Sequence, residues 1–147
     1  MPSGAFIKFS MNARPLRILV ADKELEVRSS IDRIARGHGH LYEGVVDGAA
    51  CLSKIEQNDY DILFLDLFIP GMDGAEILQR IRAKTPVTSV ILLSSLDDSE
   101  IINGLLSSGA RAFLIKPVSE AVLTDVITRI SAGTISQDLT PGGGMSA

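Results

Sequence analysis

From residue 15 to about 132 the chain alternates between two hydrophobic patterns. Short, nearly unbroken apolar runs are followed by stretches in which apolar residues recur every three or four positions. The runs are Leu16 to Ala21, Leu41 to Val46, Ile62 to Leu65, Thr88 to Leu93 and Ala112 to Ile115. Continuous apolar runs of this length suit strands covered on both faces. Between them, Val27, Ile31 and Ile34 mark a helix over Leu25 to Gly37, and Leu52 and Ile55 mark one over Ala49 to Asn58. Further helices carry Ile77, Leu78 and Ile81, then Ile101, Ile102, Leu105 and Leu106, then Val122, Val126 and Ile130. Asp73 and Ser119, and the Asp97-Asp98-Ser99-Glu100 segment, stand where helix caps are needed. Five β-α units in this order predict an α/β fold, a doubly wound, five-stranded parallel sheet of the flavodoxin-like three-layer kind. Residues 1–14 and 133–147, rich in Gly, Ser, Thr and Asn without a period, are expected to be flexible extensions of a single domain over 15–132.

Composition narrows the function classes. With 14 Lys and Arg against 18 Asp and Glu, the net charge of −4 leaves no large basic face for nucleic acid. No apolar run approaches the roughly 20 residues of a membrane span, and the first ten residues lack a signal-peptide core, so a cytoplasmic protein is expected. The single cysteine, Cys51, excludes an intrachain disulfide. His38 and His40 flank Gly39 without a third ligand in view and read as turn residues.

In doubly wound sheets, function sits beyond the carboxyl ends of the strands. Those ends carry Asp22-Lys23-Glu24, Asp66, Ser94-Ser95 and Lys116-Pro117. Each has an ordinary reading: an Asp there caps the next helix, a Ser sits in a turn, a Lys is solvated. Taken together, two carboxylates, a hydroxyl and an ammonium suit phosphoryl chemistry. A carboxylate can attack phosphorus, a hydroxyl and an ammonium can hold the phosphoryl oxygens, and acids can hold Mg²⁺.

The segment Asp66-Leu67-Phe68-Ile69-Pro70-Gly71-Met72-Asp73-Gly74 resembles the receiver domains of two-component response regulators. Arg17-Ile18-Leu19-Val20-Ala21-Asp22 and Phe113-Leu114-Ile115-Lys116-Pro117 extend the resemblance over most of the chain. It implies Asp66 as phosphoacceptor, Lys116 as the partner of the bound phosphoryl group and Ser94 as the hydroxyl that moves toward it. It also implies Phe113 as the aromatic coupled to that movement, and a cis Lys116–Pro117 bond. By the same resemblance Asp22, Asp66 and the main-chain carbonyl of Phe68 hold Mg²⁺. The implied partners are a histidine kinase or histidine phosphotransfer protein and a downstream protein target. Output would pass through the fourth helix, fifth strand and fifth helix, and a homodimer is left open.

One position departs from the family. Where the second of two acids is usual, this chain has Lys23, followed by Glu24. An ammonium near a divalent site opposes the metal. Two arrangements follow. Either Lys23 points to solvent while Glu24 or Asp22 compensates, leaving weakened Mg²⁺ binding, or Lys23 pairs with Asp66 in place of the cation. Phe68 and Leu96 stand two residues after Asp66 and Ser94, where the family flanks the path of the attacking water. Their bulk predicts slow loss of an aspartyl phosphate. The alternative for both is simple packing at the rim.

Three functions compete. One is a receiver phosphorylated on Asp66. A second is a phosphorylation-independent interaction module with Lys23 replacing the metal. The third is an unrelated flavodoxin-like enzyme or nucleotide binder, disfavoured because Lys23-Glu24-Leu25-Glu26 replaces any Gly-rich loop after the first strand. The chain is therefore read as a non-enzymatic signalling protein. Leu139-Thr140-Pro141 faintly resembles the opening of an output domain and then runs into Gly142-Gly143-Gly144.

Overall fold

A computed structural model describes residues 14–85 and 87–133. The expected N-terminal extension, apart from Arg14, and the C-terminal tail beyond Gly133 lie outside the described residues. The strands are β1 (Arg17–Ala21), β2 (Leu41–Val45), β3 (Ile62–Asp66), β4 (Ser89–Ser94) and β5 (Ala112–Ile115). The helices between and after them are α1 (Leu25–Gly37), α2 (Gly48–Gln57), α3 (Gly74–Lys84), α4 (Ser99–Ser107) and α5 (Glu120–Ala132). All strand pairs are parallel, in the order β2-β1-β3-β4-β5. The predicted α/β, doubly wound, five-stranded sheet is therefore present, with boundaries shifted by about a residue.

Successive strand residues point to opposite faces, so each strand serves two cores. Ile18, Val20, Ile62, Phe64, Ile91, Leu93 and Leu114 face Ile31, Ile34 and Ala35 of α1 and Leu123, Val126 and Ile127 of α5. Leu19, Ala21, Leu63, Leu65, Val90, Leu92 and Phe113 face Cys51 and Ile55 of α2 and Ile77, Leu78 and Ile81 of α3. Strands β3 and β4 are buried almost throughout. That burial on both faces is why their sequence reads as an unbroken apolar run rather than an alternation. Edge strand β2 is different: Leu41 is exposed and only Val45 is buried.

Caps fix the helix starts. Asp73 accepts from the Ala75 N–H, Asp98 from Glu100 and Ile101, and Ser119 from Val122. Asp47 does the same for α2 by accepting from Ala50. Each such bond stabilises its helix by about 1 kcal/mol. Helix α4 stands apart from the others because it buries none of its residues. Ile102, Leu105 and Leu106 are only half-covered against the core.

Some minor residues fall differently from expectation. His40 is not a bare turn residue: its Nδ1 accepts the Leu16 N–H at 3.0 Å, tying the start of β1 to the turn after α1. Arg14 is held to the body by ion pairing with Asp61. Cys51 is fully buried and its thiol is pushed up to about 12 by burial, which makes it an unreactive packing residue.

Candidate phosphoacceptor site

Asp22 follows β1 and Asp66 ends β3, the two adjacent central strands at which the chain's winding reverses. The Asp22 N–H donates to the Val45 carbonyl, and the Leu67 N–H to that of Leu93, so sheet hydrogen bonding continues into the site. Lys116 follows β5, and its N–H donates to the Ser94 carbonyl at 2.7 Å. The topology thus brings four separated residues to one sheet edge.

The cluster is mostly out of water. Asp22 is fully buried, Asp66 is 5% exposed and Ser94 1%. Asp22 Oδ1 accepts the Glu24 N–H at 2.9 Å, and Asp66 Oδ1 accepts the Phe68 N–H at 3.1 Å. The Lys116 ammonium lies 2.8 Å from Asp22 Oδ2, 3.5 Å from Glu24 Oε1 and 3.6 Å from Asp66 Oδ2. A cavity of about 560 Å³ opens over these groups, with Asp66, Phe68, Ser94 and Lys116 in its wall.

Burial pushes the Asp66 carboxyl above the usual carboxylate range, and the charge of Asp22 adds to this. The Phe68 N–H and Lys116 act in the opposite direction without cancelling it. For Lys116, burial disfavours the ammonium, but contact with Asp22, Asp66 and Glu24 outweighs it and raises the pKa. The cluster therefore holds one firmly charged cation among carboxylates.

The loop after Asp66 is shaped by two glycines. Gly71 has φ +88°, in the left-handed region. At Gly74 the backbone runs against Leu67, and a Cβ there would lie 2.5 Å from the Leu67 carbonyl oxygen. That carbonyl accepts the Gly74 N–H at 3.0 Å, closing the loop that carries Phe68.

Of the two arrangements foreseen for Lys23, the structure has its side chain exposed, with no ion pair to Asp66 among the described residues. Lys116 takes that contact instead. Glu24 reaches the same ammonium, a contact that the residue order alone does not give. Around the Lys116 ammonium, Asp22, Asp66 and Glu24 supply three carboxylates against one cation, with the exposed Lys23 outside the cluster. The donors suit a hard cation. Asp22 Oδ2 is buried against the Lys116 ammonium at 2.8 Å and would turn to a metal once that ammonium moves, and two carboxylates are what Mg²⁺ commonly takes, with water completing the shell. No cluster of three or more acid, His or Cys side chains with metal-binding geometry occurs among the described residues.

Ser94 Oγ accepts the Leu96 N–H at 3.1 Å, and Phe113 lies buried, facing α2 and α3. The Lys116–Pro117 bond is cis. Phe68 is 64% exposed at the cavity rim, whereas Leu96 packs on the core.

A sequence model of the response regulator receiver domain matches residues 18–128. The chain belongs to the response regulator receiver family. This receiver domain is 32% identical over 136 residues to the sensory/regulatory protein RpfC of Xanthomonas campestris, a match covering 90% of this chain and 19% of that protein. It is 31% identical over 107 residues to the DNA-binding response regulator MtrA of Mycobacterium tuberculosis, covering 73% of this chain and 46% of MtrA. The chain thus spans less than half the length of either relative. Among solved structures, the Francisella response regulator 1452 receiver domain superposes with a TM-score of 0.75 at 30% identity, covering 81% of this chain and 98% of that one. The chemotaxis response regulator CheY4 of Vibrio cholerae shares the fold, with a TM-score of 0.74 at 22% identity over 80% of this chain and 99% of its own. The receiver fold and signalling class expected from the sequence are therefore shown. Among the described residues no helix is long and apolar enough to cross a membrane.

Proposed function

We propose that this receiver domain accepts a phosphoryl group on Asp66 from a phosphohistidine of a histidine kinase or phosphotransfer protein. The observation that carries the reading is the buried cluster at one sheet edge, where Asp66 shares a cavity wall with Ser94 and Lys116. An Asp66 carboxylate oxygen attacks phosphorus, the phosphorus–nitrogen bond breaks, and its electron pair returns to the imidazole, which takes up a proton. Lys116 leaves Asp22 to pair with the new phosphoryl oxygens, and Ser94 donates its hydroxyl to one of them. Asp22, Asp66 and the main-chain carbonyl of Phe68 would hold Mg²⁺. Bound there, the ion neutralises charge on the transferred group. Lys23 weakens that binding, and the Glu24 carboxylate offsets part of the loss.

Phosphorylation is read out by a protein partner through α4, β5 and α5, where Ile101 and Ile115 stand 47% and 44% exposed. Rearrangement of Phe113 would link Ser94 to that face. A cytoplasmic location and protein rather than nucleic-acid contacts fit the acidic composition. The test is intact mass after incubation with Mg²⁺ and a small phosphoryl donor, repeated with a phosphotransfer protein, beside Asp66→Ala. A phosphoryl-sized gain lost in the variant supports the reading, and no gain from either donor overturns it. The second reading, a constitutive interaction module, is favoured by the existing ion pairs of Lys116 with both central carboxylates, and it would stand if neither donor works.

A further inference from the structure

Lys23 is the cation that the residue order sets beside Asp22, yet its side chain is exposed and Lys116 takes the carboxylates. Two peptide bonds flank residue 23, and both are pinned. The one after it is held by the Asp22 carboxylate, whose Oδ1 accepts the Glu24 N–H at 2.9 Å. The one before it is held by Arg28 of α1, whose Nη1 donates to the Asp22 main-chain carbonyl at 2.8 Å. The Asp22 N–H in turn donates to the Val45 carbonyl at 3.1 Å. A peptide is planar, so fixing the planes on both sides of residue 23 fixes its two soft dihedrals. The direction in which the Lys23 side chain leaves the main chain is fixed with them.

The place of Arg28 is not one that its helix favours. Residue 28 lies within the first four residues of α1, where the helix dipole opposes a cation. Helix side chains lean toward the N-terminus, and this lean carries the half-buried arginine back over the turn between β1 and α1. Its stem passes Gly44 of the edge strand β2, where a Cβ would stand 3.3 Å from Arg28 Cδ and run into the Tyr42 hydroxyl. Gly44 does not have a positive φ, so what glycine supplies there is room for those two side chains. Arg33 and Arg36 on the same helix pair with Glu120 and Asp32, whereas Arg28 makes no ion pair among the described residues. Its charge goes instead to a main-chain carbonyl, a stronger bond than a neutral donor would make.

We propose that Arg28 is a positioning residue for the phosphoacceptor site: by holding the Asp22 carbonyl it keeps the Asp22 carboxylate in the cluster and the Lys23 ammonium out of it. This role rests on the proposed part of Asp22 in holding Mg²⁺. Without the guanidinium, the peptide that joins Asp22 to Lys23 is free to turn. The Lys23 ammonium then gains access to Asp22 and Asp66, the two carboxylates that a metal would use. Arg28 thus selects between the two arrangements open to Lys23, and it does so without itself touching metal or phosphoryl group.

Wild type, Arg28→Met and Arg28→Lys are compared in two measurements on the full chain. Arg28→Met keeps the apolar stem and removes the donor, whereas Arg28→Lys keeps the charge and one donor. The first measurement is amide exchange with solvent by NMR, without Mg²⁺ or phosphoryl donor, at the Glu24 N–H that Asp22 accepts. The expected result is exchange about tenfold faster or more at Glu24 in Arg28→Met, largely restored in Arg28→Lys, with the β3 amides of Leu63 to Leu65 unchanged. No acceleration at Glu24 overturns the proposal. So does an acceleration shared by β3, which marks a general loss of stability. The second measurement is calorimetric titration with Mg²⁺, repeated for each protein with Lys23→Ala added. Arg28→Met is expected to weaken Mg²⁺ binding about fivefold or more while Lys23 is present, and Lys23→Ala to remove most of that effect. A weakening of the same size with and without Lys23→Ala, or no weakening, overturns the proposal. If wild type itself binds no Mg²⁺, the metal-holding part given to Asp22 fails, and exchange at Glu24 alone decides the part of Arg28.

Discussion

Replacing Lys116 by Met removes the one ammonium among the described residues that contacts Asp22 and Asp66 while keeping a side chain of similar length. Asp22 is fully buried and Asp66 is 5% exposed, so neither carboxylate can regain a full water shell. Losing one partner of a buried ion pair costs about 3–5 kcal/mol. Here the lower end applies, because each carboxylate keeps a main-chain N–H, from Glu24 and from Phe68, and Glu24 itself can turn to solvent. A loss of about 3 kcal/mol still leaves a domain of ordinary stability folded. The pH dependence has a definite sign. The Asp66 carboxyl is already raised by burial and by Asp22, so the folded state binds its proton more readily than the unfolded chain does. Between the unfolded and folded pKa values, stability therefore falls as pH rises, and the deficit is constant above the folded value. Without Lys116 the folded pKa rises further and the window widens upward. Urea denaturation at about pH 8 and about pH 5 measures this. The expected outcome is a variant whose deficit against wild type shrinks on acidification. A loss below about 1 kcal/mol at pH 8, or a deficit that grows at pH 5, would refute the electrostatic account of the cluster.

Three further outcomes are expected. Lys23→Asp restores an acid beside Asp22 and should tighten Mg²⁺ binding about tenfold or more, read by titration of the apoprotein; unchanged affinity would mean that residue 23 does not act on the site. Gly74→Ala places a methyl 2.5 Å from the Leu67 carbonyl oxygen, backbone that cannot yield cheaply, and should cost about 2 kcal/mol in urea denaturation; a neutral result would mean the loop can open. Phe68→Asn at the exposed rim should shorten the lifetime of the Asp66 phosphate about tenfold by giving the attacking water a polar anchor, followed by decay of the phosphorylated mass; an unchanged lifetime would show that Phe68 does not limit access.

The central strands could be read from the sequence because burial on both faces removes any competing pattern: Ile62 to Leu65 and Val90 to Leu93 have no polar interruption. The caps Asp73, Asp98 and Ser119 are visible because their chemistry is local. Asp47 was masked by the following Gly48, which weakens the helical signal at that start. The shallow seating of α4 was not legible, since Ile101, Ile102, Leu105 and Leu106 have the spacing of a well-buried helix. In the site, the convergence of Asp22, Asp66, Ser94 and Lys116 followed from the rule of strand ends. The residue order left open which of the two arrangements Lys23 takes, and it did not give which carboxylate Lys116 prefers or that Glu24 reaches the same ammonium. Those depend on distances of an ångström or two between residues far apart in sequence. The part of His40 in holding β1 is equally non-local.

Helix α4, with no side chain fully removed from solvent, has a consequence for how the molecule breathes. The other four helices each bury residues in the two cores, so releasing any of them opens apolar surface to water. Releasing α4 exposes the half-covered Ile102, Leu105 and Leu106 and the core they cover, but no fully buried side chain of its own. Its amides should exchange with solvent by small openings, well below the free energy of global unfolding. Ser94 ends β4, and five residues later the chain enters α4. Under the proposed phosphorylation, a movement of the Ser94 hydroxyl would be passed along the chain directly to the helix that is seated most shallowly.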